Sequence, residues 1–140
     1  MVQKEHFLEI NLSLYPFGHG LSYSNFVYES MELSNDKITV DAPVTAKIKV
    51  KNDSDIAGKE TVMLYMRDVY ASNSRPVQQM IAFKKVEIGA GETKVVEFEI
   101  NETMLRFWNN EHKFVSEPGL FKISTGYADH LIRTTDLVLE

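Results

Sequence analysis

Val44-Thr45-Ala46-Lys47-Ile48-Lys49-Val50-Lys51 alternates apolar and polar residues without a break. A period of two is that of an extended chain, whose successive side chains point to opposite faces. One face of this strand is core and the other is wet, as an antiparallel sheet allows. Residues 61–66 follow, apolar on both faces through Val62, Met63, Leu64, Tyr65 and Met66, which predicts a strand covered on both sides. Residues 82–88 and 94–100 alternate again, and Gly89-Ala90-Gly91 between them reads as a hairpin turn.

Beyond these strands, Asn101-Glu102-Thr103-Met104-Leu105 carries a helical signal: Asn101 caps, and Glu102 suits the positive end of a first turn. The segment is short enough to be only a corner between sheets. Three more extended runs close the chain, at 113–115, 120–126 and 133–139, with Pro118-Gly119 punctuating the turn before the second. Seven or eight strands at intervals of roughly ten residues predict an all-β fold, an immunoglobulin-like antiparallel sandwich.

Upstream, Leu14-Tyr15-Pro16-Phe17-Gly18-His19-Gly20-Leu21-Ser22-Tyr23 has neither a period of two nor one of 3.6. Its glycines and proline favour an irregular backbone, and its rings must be buried against something. This is a junction segment leading into the sandwich. The expected division is an N-terminal extension at 1–25, brought from a preceding domain, and a sandwich at 26–140.

In order and spacing, these pieces resemble the fibronectin type III-like domain at the C-terminus of family 3 glycoside hydrolases, the β-glucosidase and β-xylosidase type. Leu14 to Tyr23 resembles the segment that opens that domain. Asn52-Asp53-Ser54-Asp55-Ile56-Ala57-Gly58-Lys59-Glu60 resembles its first long turn, and Val62-Met63-Leu64-Tyr65 its next strand. Arg75-Pro76-Val77, Phe83-Lys84-Lys85-Val86, Gly89-Ala90-Gly91-Glu92-Thr93 and Glu117-Pro118-Gly119-Leu120-Phe121 continue the likeness. It implies a non-catalytic accessory domain that stabilises and positions catalytic domains of the same polypeptide for hydrolysis of O-glycosyl bonds. The family's nucleophilic Asp and acid/base Glu lie on domains with no counterpart here, so no residue inherits a catalytic role. Saccharide substrate would be met only through the parent, for which an extracellular or periplasmic setting is slightly favoured.

The composition agrees. In 140 residues the formal charge is -5, with 15 basic against 20 acidic side chains, which argues against nucleic acid or an anionic membrane as partner. No apolar run reaches the roughly 18 residues that span a bilayer. With no cysteine there is neither a disulfide nor a thiolate metal site.

Glu97 and Glu99, two apart on one strand, have a spacing within glycosidase range, but Val96, Phe98 and Ile100 take the inward face and leave both acids to solvent. His6, His19, His112 and His130 fall at no metal-ligand spacing. Asp53 and Asp55 open like a calcium loop, yet Leu64 stands where the bidentate acid belongs. No metal, cofactor or catalytic group is expected. Asn11, Asn52 and Asn101 begin glycosylation sequons. Trp108 is expected to be half-buried packing rather than a sugar platform, and Tyr65, Tyr70, Phe83 and Phe121 to be core.

The candidate interdomain interface is Tyr15, Phe17, His19, Leu21 and Tyr23, since exposed apolar surface on a module marks a lost contact. The candidate rim of the parent's cleft is the polar loop 68–79, through Asp68, Tyr70 and Arg75. Two features depart from the commoner family pattern: Asp68-Val69-Tyr70 lacks a proline, and Gln78-Gln79-Met80 replaces a basic-acidic pair. The alternatives are a stand-alone carbohydrate-binding module, which needs a row of exposed rings, and a cell-surface interaction or spacer domain.

Overall fold

The computed structural model describes residues 14–15, 18–72, 76–127 and 130–140. Its strands are β1 (Phe26–Leu33), β2 (Lys37–Ile38), β3 (Val44–Asn52), β4 (Gly58–Asp68), β5 (Gln79–Ile88), β6 (Thr93–Ile100), β7 (Phe107–Trp108), β8 (Phe114–Val115), β9 (Gly119–Tyr127) and β10 (His130–Leu139). A three-stranded sheet, β1-β3-β6, faces a five-stranded sheet, β2-β10-β9-β4-β5, and β7-β8 form a small separate ribbon. Seven strands of eight residues or more build the sandwich, as expected, with three two-residue strands added at its margins.

The alternation in β3 sorts its side chains as read: Val44, Ala46, Ile48 and Val50 are buried among Val96, Phe98 and Ile100 of β6. Val62, Leu64 and Met66 of β4 meet them from the other sheet, with Phe121, Ile123, Leu137 and Leu139. Burying such a side chain is worth about 1.5–3 kcal/mol, so this two-sheet core is the main stabilising term.

The turn at Gly89-Ala90-Gly91 corrects one expectation. Strands β5 and β6 lie in opposite sheets, so the segment is an arch between sheets and not a hairpin. It is tied down locally: Glu92 N–H donates to the Gly89 carbonyl at 3.0 Å, and the Glu92 carboxylate accepts from Gly89 N–H at 2.6 Å. A later passage between the sheets, from β6 to β9, runs through the 3₁₀ helix Glu102–Leu105 and its following ribbon. Asn101 caps that helix, its side chain accepting from Met104 N–H at 3.2 Å.

Asn52 is fully buried and organises the long turn that follows β3. Its amide donates to the carbonyls of Ile56 (2.7 Å) and Ile88 (3.1 Å), and its oxygen accepts from Ser54 N–H at 3.1 Å. The sequon there is therefore structural. Glu97 and Glu99 face solvent, as do Asp53 and Asp55.

Candidate interdomain face and loop rim

Along β4, Val62, Leu64 and Met66 point into the sandwich, so Met63 and Tyr65 point outward, and yet both are buried. The junction segment covers them. At Gly18 an added Cβ would lie 3.1 Å from both Met63 Cε and the Tyr65 hydroxyl, and the backbone has φ +79°, a region that side chains rarely adopt. Further along, an added Cβ at Gly58 would lie 2.3 Å from Ser24 Oγ, so the chain entering β1 presses directly on the start of β4. Asn25 N–H donates to Ser54 Oγ at 2.7 Å, and the Asn25 carbonyl accepts from Asp53 N–H at 2.8 Å. The segment thus lies over the outer face of β4 at Met63 and Tyr65, and lower down Ser24 and Asn25 pin it at the start of that strand, where Gly58 faces the core side.

The segment's own large side chains stay outside this contact. Leu21 and Tyr23 are 95% and 100% exposed, and Leu14 and Tyr15 are also exposed. The Tyr15 and His19 rings meet each other at 5.3 Å between centroids. Four of the five expected interface residues thus stand at the surface of one segment; Phe17 lies outside the described residues. Of the other rings in this region, Tyr28 goes into the core. Phe83 was expected in the core, but it is the cross-strand partner of outward-facing Met63 and is 62% exposed. Met80, the partner of Tyr65, is exposed beside it. Sequence reasoning missed Phe83 and Met80. Their register against Met63 and Tyr65 would have revealed them, but pairing is not visible in one strand alone.

The opposite outer face is different in kind. On the three-stranded sheet Lys47 pairs with Glu97 at 3.0 Å and Lys49 with Glu29 at 3.0 Å, and near the end of β3 Lys51 pairs at 2.7 Å with Asp53, just past the strand. No row of rings occupies that face among the described residues.

The loop between β4 and β5 springs from Asp68, whose carboxylate accepts from Tyr70 N–H at 3.2 Å. Val69 N–H donates to the Leu120 carbonyl at 3.1 Å, and Ser72 Oγ donates to Glu117 at 2.5 Å, which holds the loop's first half against the start of β9. Tyr70, expected in the core as well as at the rim, is exposed. Gln78 Nε2 is buried with no hydrogen-bond partner among the described residues. Arg75 lies outside the described residues, so the structure brings Asp68 and Tyr70 together and leaves the third rim residue aside.

Two buried carboxylates are not catalytic pairs either. Glu60 accepts hydrogen bonds from Tyr28 (2.8 Å) and Tyr127 (3.1 Å), linking the two sheets. Burial pushes its carboxyl above the ordinary range, against the pull of the two hydroxyls, and burial with the nearby carboxylate pushes Tyr127 up to about 12. Glu102 is lowered instead, because Arg106 donates to it at 2.9 and 3.0 Å and Ser116 adds a further bond. Among the described residues no three His, Asp or Glu side chains gather as a metal site.

Comparison with known proteins matches this arrangement. Residues 60–128 fit the model of the fibronectin type III-like domain. The periplasmic β-glucosidase of Salmonella typhimurium is 41% identical over 121 residues, 86% of this chain and 16% of that protein. A β-xylosidase of Formosa agariphila is 40% identical over 113 residues, 81% of this chain and 16% of its own length. The solved GH3 β-glucosidase of Bifidobacterium adolescentis superposes with a TM-score of 0.81 at 27% identity, over 89% of this chain and 18% of that one. The chain therefore spans about a sixth of the relatives it matches, a non-catalytic part of each. It belongs to the fibronectin type III-like domains carried by family 3 β-glucosidases and β-xylosidases.

Proposed function

We propose that this chain is the C-terminal accessory domain of a family 3 β-glycosidase, with residues 1–25 as the junction from the preceding domain and 26–140 as the sandwich. The observation that carries this is the asymmetry of the two outer faces. One is a lattice of ion pairs suited to water. The other holds the junction segment against Met63 and Tyr65 and leaves Tyr15, Leu21, Tyr23 and Phe83 bare. Exposed rings in such a group are what an interface leaves behind when its partner is removed.

The chemistry of the parent explains the need. Carboxylates on two domains must be held near productive geometry, and a misplacement of about 1 Å costs up to about a hundredfold in rate. The accessory domain clamps the junction and fixes the catalytic domains, and loop 68–79 forms part of the cleft rim through Asp68, Tyr70 and Arg75. The parent's substrates are then β-glucosides or β-xylosides.

The test is the native gene product. An antibody against this domain should detect a protein several times larger than 140 residues. That protein should hydrolyse aryl glucosides or xylosides, and Leu21→Ser with Tyr23→Ser should lower its kcat/KM by roughly ten- to a hundredfold. A product the size of this chain would contradict the reading.

A further inference from the structure

The β7-β8 ribbon carries a feature that the interdomain role does not use. Trp108 and Phe114 are cross-strand partners, their ring centroids 5.4 Å apart and their planes tilted by 43°. Trp108, expected as half-buried packing, is 67% exposed, and Phe114 is exposed beside it. Their neighbours along the ribbon, Phe107 and Val115, point the other way, and Phe107 is buried.

The ribbon is stiff. Asn109 N–H donates to the Lys113 carbonyl at 2.9 Å, and the Asn109 side chain accepts from Glu111 N–H and Lys113 N–H, both at 3.0 Å. Its base is held by Ser116 on Glu102, which Arg106 also grips. Rings on such a mount lose little freedom when something stacks on them. The surrounding charge is balanced: Lys113 and Glu111 pair at 2.7 Å, and Asn110 adds an exposed neutral amide. A neutral, polyhydroxylated ligand suits that setting better than a charged peptide.

We propose that Trp108 and Phe114 form a stacking platform for one pyranose unit of a β-linked glucan or xylan chain. The C–H face of the sugar lies on the Trp108 indole, the tilted Phe114 ring borders it, and the sugar's hydroxyls reach Asn110 and water. Glu117, two residues past Val115, holds Ser72 of the candidate rim loop, so platform and rim share one end of the sandwich. A substrate chain leaving the cleft would pass from one to the other. The choice of sugar rests on the proposed function; the platform itself rests on the ribbon.

Trp108 is the only tryptophan in the chain, so its fluorescence reports on this ribbon alone. Titration of the chain with cellohexaose and with xylohexaose should give a saturable shift for at least one, with a dissociation constant of order 1 mM. Phe114→Ala should weaken that binding roughly tenfold. No change with either sugar at about ten times the expected constant, or an unchanged constant in Phe114→Ala, would overturn the platform. That failure would leave the accessory reading intact. A gene product of 140 residues would sink the accessory reading and leave the titration to stand or fall by itself.

Discussion

The two outer faces of this sandwich are built from the same element, a strand with alternating side chains, and end in opposite states. On β3 and β6 the outward positions include Lys47, Lys49, Glu97 and Glu99, all exposed, with Lys47 paired to Glu97 and Lys49 to Glu29 across the sheet. On β4 the outward positions include Met63 and Tyr65, which are buried and lie against a segment some forty residues upstream. A charged face is finished as it stands. An apolar face needs a cover, and here the cover is itself apolar on its far side. The difference teaches that one sheet of this domain is a finished surface, whereas the other carries a second layer of its own chain; in the proposed function that layer meets a further domain.

The contrast can be broken by mutation. Met63→Ala on the covered face should cost about 2–5 kcal/mol, as a buried truncation does, read as a lowered urea midpoint of the isolated chain. Gly18→Ala should cost about 1–2 kcal/mol, because the residue must hold a left-handed backbone while its methyl meets Met63 and Tyr65. Its effect should shrink in a Met63→Ala background, since the two share one contact. Lys47→Ala on the charged face should stay within about 0.5 kcal/mol, and less in high salt. A large cost at Lys47, or none at Met63, would erase the distinction between the faces.

Between the faces, Glu60 offers a sharper test with pH. Its folded carboxyl sits above the ordinary value of 4.5, so the folded chain holds the proton more tightly than the unfolded one. That contribution is complete below the unfolded value and is lost as pH rises through the folded one. Glu60→Gln should therefore gain stability relative to the parent chain as pH is raised, seen as converging or crossing melting temperatures. Parallel curves would show that the carboxyl does not titrate in this way.

Much of the sandwich was legible because alternation is a local property. Val44 to Val50 and Val96 to Ile100 could be sorted into wet and dry faces with no knowledge of their partners. Pairing is not local, and there the reading stopped. The glycines at 89 and 91 signal a sharp reversal equally well within one sheet and between two, so β5 and β6 were joined wrongly. Ring size predicts burial only on average. Phe121 obeys, whereas Phe83 and Trp108 stand on outward positions that only register reveals, and Tyr70 lies exposed in the loop beyond β4. Glu60 could not be found at all, since its partners are 32 and 67 residues away. The junction was the easiest part of the candidate face to see, because three rings, two glycines and a proline in ten residues suit neither strand nor helix.

Hydroxyl-radical footprinting of the two faces, on this chain alone and within the full-length protein, tests the central claim most directly. In the full-length protein Tyr15, Leu21, Tyr23 and Phe83 should lose most of their labelling, while Val27 and Val95 on the three-stranded sheet, exposed here, keep theirs. Equal labelling of the first set in both forms, or protection of the second set instead, would contradict the account.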